Sequence, residues 1–229
     1  MNILKYKFIL LIIISLDMSA TEIKDYVARY SFESPEISLN GIRKLTSLDQ
    51  GYELSFEAKN WVAKMQFNSN FIVSDDQVIP KGYKVKIKPK FVNRDQIIDY
   101  NYNKQLITSL GRNAWGVELD PMASPLDPMN AQIQIRLNLL KGIKEFSIQL
   151  VEMRNGEIED NFYKVIGTEI CVVGDSEYEC IILKRFREKE GRETIYYLAP
   201  KLGYMFLKII DISQEREQKL ELIEILSLG

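Results

Sequence analysis

A two-residue alternation of apolar and polar side chains runs through most of this chain and constrains its fold class more than any other feature. From Tyr26 onward, β-branched and aromatic residues recur at every second position in short runs that Gly, Asn, Asp and Pro separate. Because successive side chains of a strand point to opposite faces of a sheet, this pattern is typical of strands with one buried face. The pattern predicts strands at residues 25–31, 37–46, 51–58, 62–67, 83–91, 96–101, 144–152, 162–173, 178–187, 192–198, 204–212 and 219–226.

Short polar turns join most of these segments, and short connections favour antiparallel neighbours over helical crossovers. The chain has 229 residues, of which 46% are hydrophobic and 27% charged, so one domain with a sizeable core is expected. We therefore predict a mainly β fold, with one antiparallel sheet of about ten to twelve strands.

One segment carries the signals of a helix. Asp127 stands at an N-cap position, Pro128 at the first helical position and Gly142 just past the end, which is the usual placement of these residues around a helix. The apolar residues between them alternate almost as well as they follow a helical stripe, so the capping residues decide the interpretation. We predict a helix at about 128–141 and an irregular loop before it.

The N-terminal segment has the layout of a secretory signal peptide. Two lysines precede an apolar run at 8–16, and the small residues Ser19 and Ala20 follow it. The run spans ~14 Å as a helix, which is under half of a hydrocarbon core of ~30 Å. We predict a cleaved signal peptide at 1–20, one exported β-rich domain at 21–229, a periplasmic or otherwise exported location, and no membrane span after cleavage. The alternatives are an uncleaved membrane anchor and a buried N-terminal strand.

Histidine is absent from the sequence, and this absence excludes several kinds of active site. Ser–His and Cys–His nucleophiles need an imidazole base, and a zinc site would need cysteine and carboxylate ligands alone. The sequence has no Asp-x-Asp-x-Asp-Gly calcium loop, and its formal net charge of −2 creates no field that gathers nucleic acid. We predict a protein that is not an enzyme, with no catalytic residues, no metal, no cofactor and no nucleic-acid partner.

Cys171 and Cys180 flank a predicted hairpin turn. A four-residue loop at 174–177 would place the two cysteines opposite each other, with both side chains on one face. An oxidising exported compartment favours a disulfide, although directly opposed strand positions often strain the bridge and two buried thiols also pack well. The sequence leaves both outcomes open.

The most densely charged part of the chain, residues 184–193, mixes lysine, arginine and glutamate around Gly191. Runs of mixed charge are typical of solvated segments. We interpret this run as a solvated hairpin end.

Three aromatic side chains are candidates for contact with an apolar ligand, namely Trp61, Tyr100 and Trp115. Aromatic groups commonly line hydrophobic cavities. In sheets, however, they more often form plain core or cross-strand pairs, and this is the competing interpretation.

Short motifs spread over nearly the whole mature chain resemble those of a known family. The earlier ones are Tyr26, Tyr30, Gly41, Gly51-Tyr52, Phe71, Pro80, Tyr83, Asp99-Tyr100, Asp127-Pro128, Gln132 and Arg136-Leu137. Those of the C-terminal third are Tyr163-Lys164-Val165, Gly167-Thr168-Glu169, Cys180, Arg192 to Thr194, Tyr197-Leu198-Ala199-Pro200 and Tyr204 to Ile209. On these residues the chain resembles the exported bacterial family called domain of unknown function 3108, while Tyr197 and Phe206 depart from the family pattern.

The resemblance implies an exported protein without established catalysis. It also implies a fold similar to the curved antiparallel half-barrels of periplasmic lipoprotein carriers, in which a sheet wraps around an apolar cavity. Fold alone does not determine function.

Three hypotheses for the function follow. The leading one is a non-enzymatic envelope protein that binds a lipid or another apolar ligand in a half-barrel cavity. The alternative is a structural protein that docks onto an envelope assembly partner through a sheet edge or a loop, and the third is a carboxylate-based hydrolase. An apolar trough, a filled core or a polar cleft in the interior would distinguish them.

Overall fold

The computed structural model describes residues 23–61, 63–89, 95–120, 123–187, 191–213 and 216–229. The predicted signal peptide lies outside the described residues, as does its cleavage point. Within them the chain forms fourteen strands, one α-helix, α1 (Asn130–Leu140), and a short 3-10 turn (Pro200–Leu202). The strands are β1 (Tyr26–Ser34), β2 (Ile37–Leu48), β3 (Gly51–Lys59), β4 (Ala63–Ser74), β5 (Gln77–Pro89), β6 (Gln96–Asn101), β7 (Leu106–Gly111), β8 (Trp115–Glu118), β9 (Glu145–Val151), β10 (Ile158–Val173), β11 (Ser176–Phe186), β12 (Arg192–Ala199), β13 (Met205–Ser213) and β14 (Arg216–Leu228).

All these strands belong to one sheet, whose order is β8-β7-β6-β5-β4-β3-β2-β1-β14-β13-β12-β11-β10-β9. Each strand pairs with its neighbours in sequence, except that β8 and β9 are the two edges of the sheet and do not pair. β1 also pairs with β14, and this pair is antiparallel too. The prediction of a mainly β, antiparallel fold with one helix is confirmed. The strand count is wrong by two, because β7 and β8 were not predicted.

The two additional strands lie where the alternation is weakest. In β7 the inward position that follows Ile107 is Ser109, whose hydroxyl is buried and accepts a 2.8 Å hydrogen bond from the Gln96 side chain. This polar pair interrupts the apolar face of β7. β8 has only four residues, and Gly116 is one of them, so it gives almost no pattern to recognise.

The sheet curls around α1. Fourteen strands at a spacing of ~4.8 Å would make a flat sheet ~60 Å wide, whereas a helix is only ~10–12 Å across. Yet α1 packs against β4 and β5 in one half of the strand order and against β9 at the far edge of the other. The strands therefore wrap around the helix, and the core lies inside the curve.

The two edges of the unclosed sheet approach each other. Trp115 Nε1 on β8 donates to the carbonyl oxygen of Met153, just after β9, at 3.2 Å, and Leu126 forms a parallel bridge with Leu150 of β9. Gly156 has a φ of +80°, and a Cβ at this position would lie 2.6 Å from the Trp115 ring, so the approach requires glycine. Side-chain and loop contacts, rather than a strand pair, join β8 to β9.

The helix forms where its capping residues predicted it, over a shorter range. The Asp127 carboxylate accepts hydrogen bonds from the backbone N–H groups of Met129 at 2.7 Å and Asn130 at 3.0 Å, while Pro128 lies in the turn before the helix. Most of the helix is buried, on more than one face: Asn130, Ala131, Ile133, Gln134, Ile135, Arg136, Leu137 and Leu139. An enclosed helix needs no single apolar stripe, which explains its ambiguous pattern. Nothing helical among the described residues combines the length and apolar character of a membrane span.

Polar side chains fix the position of α1 inside the sheet. Gln134 Oε1 accepts a hydrogen bond from the backbone N–H of Val78 on β5 at 2.8 Å, and Gln132 Oε1 accepts one from Arg43 Nη2 on β2 at 2.6 Å. Buried hydrogen bonds that are satisfied in this way hold a helix in one register.

Cys171 of β10 and Cys180 of β11 are joined by a disulfide, with their Cα atoms 6.0 Å apart. The predicted four-residue loop is wrong, because Val173 pairs with Ser176 across a two-residue turn. Cys171 consequently lies opposite Tyr178, and the two cysteines are diagonal neighbours rather than direct partners. Diagonal positions on adjacent strands are within reach of a disulfide.

Candidate ligand-binding cleft

A cavity of about 420 Å³ lies inside the curve of the sheet, between α1 and strands β9 to β13. We call it the cleft. Its apolar wall includes Ala131, Ile135 and Leu150, and its polar wall includes Arg185, Arg187 and Arg192. The volume falls within the range of ~300–1,000 Å³ that is typical of ligand pockets.

Strand register assembles the polar wall. Tyr163 pairs with Arg185, Arg185 with Thr194, and Thr194 with Asp211, so these four side chains form one row across β10 to β13. The pairing of these four strands thus brings Arg185 and Asp211 to the same wall of the cleft. Arg187, which directly follows β11, also lines the cleft.

The interpretation of residues 184–193 as a solvated hairpin end holds only for the outward positions. Lys184 and Glu193 form a 2.9 Å ion pair, and neither of them lines the cleft. The inward positions are Arg185, Arg187 and Arg192. The signal that could have identified them is the alternation along β11 and β12, applied to the charged residues as well as to the apolar ones.

Arg192 and Asp211 form a bidentate ion pair. Arg192 Nε and Nη2 donate to the two carboxylate oxygens of Asp211 at 2.8 Å each, and these hydrogen bonds raise the pKa of Arg192. Glu152 and Glu159 also line the cleft. Since both oxygens of Asp211 are engaged, this carboxylate is held as an ion-pair partner rather than positioned for acid–base chemistry.

Arg187 is enclosed and only partly satisfied. Its side chain is 9% exposed, and Nη2 donates to Thr194 Oγ1 at 2.8 Å and lies 3.7 Å from Asp211 Oδ2. Its Nε and Nη1 are buried and have no hydrogen-bond partner in the described part of the chain. Burial lowers the pKa of Arg187, and the neighbouring charges of Arg185 and Arg192 lower it further. The polar wall therefore holds buried N–H donors that lack acceptors among the described residues.

Asp127 is a buried carboxyl that does not line the cleft. It is 0% exposed and also accepts a 2.7 Å hydrogen bond from Ser69 Oγ. Burial raises its pKa from the ordinary 3.8 to about 6, although its hydrogen bonds oppose the rise. Burial also raises the pKa values of Tyr83 and Tyr100, and the charge of Asp127 adds to both increases. We assign Asp127 a capping role; the described residues contain no group of three acidic or cysteine side chains that could hold a metal.

The three predicted ligand contacts are not brought together. Trp61 lies between β3 and β4 and is 84% exposed, Tyr100 is buried near Asp127, and Trp115 packs at the approach of β8 to β9. None of them lines the cleft. The position of Tyr100 fits the competing interpretation, that of a core residue. Trp115 instead joins the two edges of the sheet through its hydrogen bond to Met153.

Comparisons with known proteins identify a family and a similar fold, and leave the chemistry open. A family model described as protein of unknown function (DUF3108) matches residues 40–220. A crystal structure of a beta-barrel-like protein of domain of unknown function DUF1849 from Brucella abortus superimposes with a TM-score of 0.60 and 9% sequence identity, covering 89% of this chain and 98% of that one. At this identity the likeness concerns the fold alone. No curated protein matches the chain.

Proposed function

The chain belongs to the DUF3108 family of proteins of unknown function, and from its geometry we propose that it is a non-enzymatic envelope protein that holds an amphipathic ligand, such as a lipid, in the cleft. The observation that carries this proposal is the combination of an apolar wall and an arginine-rich wall around about 420 Å³. Amphipathic molecules need both kinds of surface. A purely apolar ligand would offer no acceptor to the buried Nε and Nη1 of Arg187, which have none among the described residues.

The filled core around the helix limits the form that binding takes. Ile133, Ile135 and Leu137 of α1 are each at most 1% exposed, so in the described part of the chain the helix occupies the place of the apolar cavity that the resemblance implied. The ligand therefore lies against the face of α1 that lines the cleft, between the helix and β9 to β13, rather than in a deep trough.

Two features support an exported, non-enzymatic protein. The Cys171–Cys180 disulfide favours an oxidising compartment, in agreement with the signal-peptide pattern of residues 1–20. The absence of histidine and the engagement of Asp211 by Arg192 remove an imidazole base and one carboxylate from acid–base chemistry in the cleft. These features favour holding a ligand over converting it.

A substitution that fills the cleft tests the proposal. Ile209 lines the cleft from β13 and is only partly buried, so Ile209→Trp is expected to occupy ligand space and to weaken binding of a dansyl-labelled fatty acid by about tenfold or more. The measurement is a fluorescence titration of the chain purified from the envelope fraction of a bacterial host.

The matched control is Ile212→Trp, on the same strand. Ile212 is 40% exposed and does not line the cleft, so this variant should bind the probe as the wild type does. Solvent extraction and mass spectrometry of the purified wild type should also release a bound amphiphile. A wild type that carries no amphiphile and binds no probe, or a folded Ile209→Trp protein with unchanged affinity, would contradict the proposal.

One observation favours docking onto an envelope partner as a second candidate function. The outer face of β10 and β11 carries exposed apolar side chains, including Phe162 at 39% and Phe186 at 41%, whose ring centroids are 5.9 Å apart. Exposed apolar patches often mark interaction sites.

Replacing both phenylalanines by serine tests this second candidate. In intact cells, chemical cross-linking of the wild type should give one discrete adduct, which the Phe162→Ser/Phe186→Ser variant should lose while it retains binding of the dansyl probe in the cleft. If the wild type gives no adduct, or the variant gives the same one, this surface has no docking role.

A further inference from the structure

We propose that Arg187, supported by Arg185 and Arg192, binds an oxyanion of the ligand, so that the cleft selects amphiphiles with a phosphate or carboxylate headgroup. This inference rests on the proposed function and specifies its ligand class. It depends on three observations: the unsatisfied donors of Arg187, the shortage of local acceptors and the position of the apolar wall.

The first observation is the state of the Arg187 guanidinium. Its side chain is 9% exposed, and its Nε and Nη1 atoms are buried without a hydrogen-bond partner among the residues that the structure describes. Buried N–H groups are almost always paired, since an unpaired one loses its hydration without compensation, and for a charged group this cost is large. Because Arg187 lines the cleft, a ligand in the cleft is placed to supply the missing acceptors.

The second observation is that none of the described carboxylates that line the cleft, namely Glu152, Glu159 and Asp211, accepts a hydrogen bond from Nε or Nη1 of Arg187. Both oxygens of Asp211 accept hydrogen bonds from Arg192, and Arg187 approaches Asp211 only at 3.7 Å. Glu152 acts electrostatically on Arg192. Arg185 donates its Nε hydrogen to Asn161, a neutral acceptor. Three arginines thus share this end of the cleft, and an added anion would relieve their mutual repulsion.

The third observation is the arrangement of the two walls. Arg185 lies on β11, Arg187 directly follows this strand and Arg192 lies on β12, whereas Ile135 lies on α1 and Leu150 on β9. Both sets of side chains line the cleft. A ligand whose oxyanion contacts Arg187 can therefore lay an apolar chain against the helix. Arginine is well suited to such a headgroup because its N–H groups form charge-assisted hydrogen bonds with phosphate and carboxylate oxygens.

The experiment compares three probes by isothermal titration calorimetry on the purified chain: dodecyl phosphate, dodecyl maltoside and inorganic phosphate, with the amphiphiles below their micelle concentrations. The two amphiphiles share one apolar chain and differ in the headgroup. We expect the wild type to bind dodecyl phosphate about tenfold more tightly than dodecyl maltoside, and to bind inorganic phosphate weakly.

Two substitutions at one position, with a control, assign the effect to Arg187. Arg187→Gln should weaken dodecyl phosphate binding by about tenfold and leave dodecyl maltoside binding nearly unchanged, whereas Arg187→Lys should restore part of the difference. Lys184→Gln removes the same charge from an outward position that pairs with Glu193 and should change neither affinity. A thermal unfolding curve for each variant confirms that it is folded.

The outcomes separate this inference from the proposed function. Equal affinity for the two amphiphiles, unaffected by Arg187→Gln, would overturn the oxyanion inference while supporting the cleft as an amphiphile site. Binding of inorganic phosphate that depends on Arg187, without binding of either amphiphile, would support the oxyanion site and overturn the amphiphile function. If none of the three probes binds, both are overturned.

Discussion

Replacing Leu137 by alanine is expected to lower the free energy of unfolding by about 3–5 kcal/mol. Leu137 is 0% exposed and lies on a helix that the sheet surrounds, with Gln132 and Gln134 tied to β2 and β5. Because the helix is held from several directions, it cannot move to fill the cavity that the substitution leaves. Equilibrium unfolding in urea, followed by circular dichroism, measures the loss.

The control for this prediction is on the same helix. Leu140 is 38% exposed, so Leu140→Ala removes an identical group with little burial and should cost about 1 kcal/mol or less. If Leu137→Ala costs no more than Leu140→Ala, the sheet does not enclose the helix as described.

Removing the Asp127 carboxyl is expected to cost about 3 kcal/mol at pH 5. The carboxyl accepts hydrogen bonds from Ser69 Oγ and from the backbone N–H groups of Met129 and Asn130, and Asp127→Ala leaves these buried donors unpaired. Asp127→Asn is the matched control, because its amide oxygen can accept the two backbone hydrogen bonds and its amide nitrogen can donate to Ser69. The Asn variant should remain within about 1 kcal/mol of the wild type at this pH.

The same carboxyl makes stability depend on pH. Burial raises its pKa to about 6 in the folded protein, against an ordinary value of 3.8, so the folded state binds the proton more tightly than the unfolded state. The resulting stabilisation is complete below about pH 4 and is lost as the pH rises through 6, a change of about 3 kcal/mol.

A pH series of urea unfolding curves checks this effect. Asp127→Asn cannot titrate at this position, so its stability should fall less than that of the wild type between pH 4 and pH 7.5, and the variant should be the more stable protein at pH 7.5. Parallel profiles for the two proteins would show that Asp127 does not carry the pH dependence.

The sequence predicted the parts of the fold that depend on local information. Side-chain alternation marked twelve of the fourteen strands, and Asp127 with Gly142 marked the helix. β7 was missed because Ser109 occupies a position where alternation would show an apolar residue, and its burial depends on Gln96 of the neighbouring strand. That partner is visible only once the strands are paired. β8 was missed because it has only four residues, one of which is Gly116.

The cleft could not be predicted in the same way. Its polar row joins Tyr163, Arg185, Thr194 and Asp211 through three separate strand registers. Each register is set by its own turn, and the sequence of one turn does not indicate the register at the next. The hairpin at the cysteines shows how strongly strand pairing depends on turn length. Its turn has two residues rather than the predicted four, so different residues face each other across the two strands. The aromatic candidates also depended on distant packing: nothing near Trp61 in the sequence indicates that its side chain is exposed.

The pairing of β1 with β14 has a consequence for how the molecule assembles. Strands β1 to β8 and β9 to β14 are two runs of successive hairpins, but the seam between them joins groups as remote as Arg29 and Glu224, which are 195 positions apart and in contact at 2.6 Å. Closing so long a loop costs entropy and is slow. Until β14 pairs with it, β1 is an unpaired edge strand that can form hydrogen bonds with a strand of another chain. We therefore expect this part of the sheet to be the most prone to aggregation during folding.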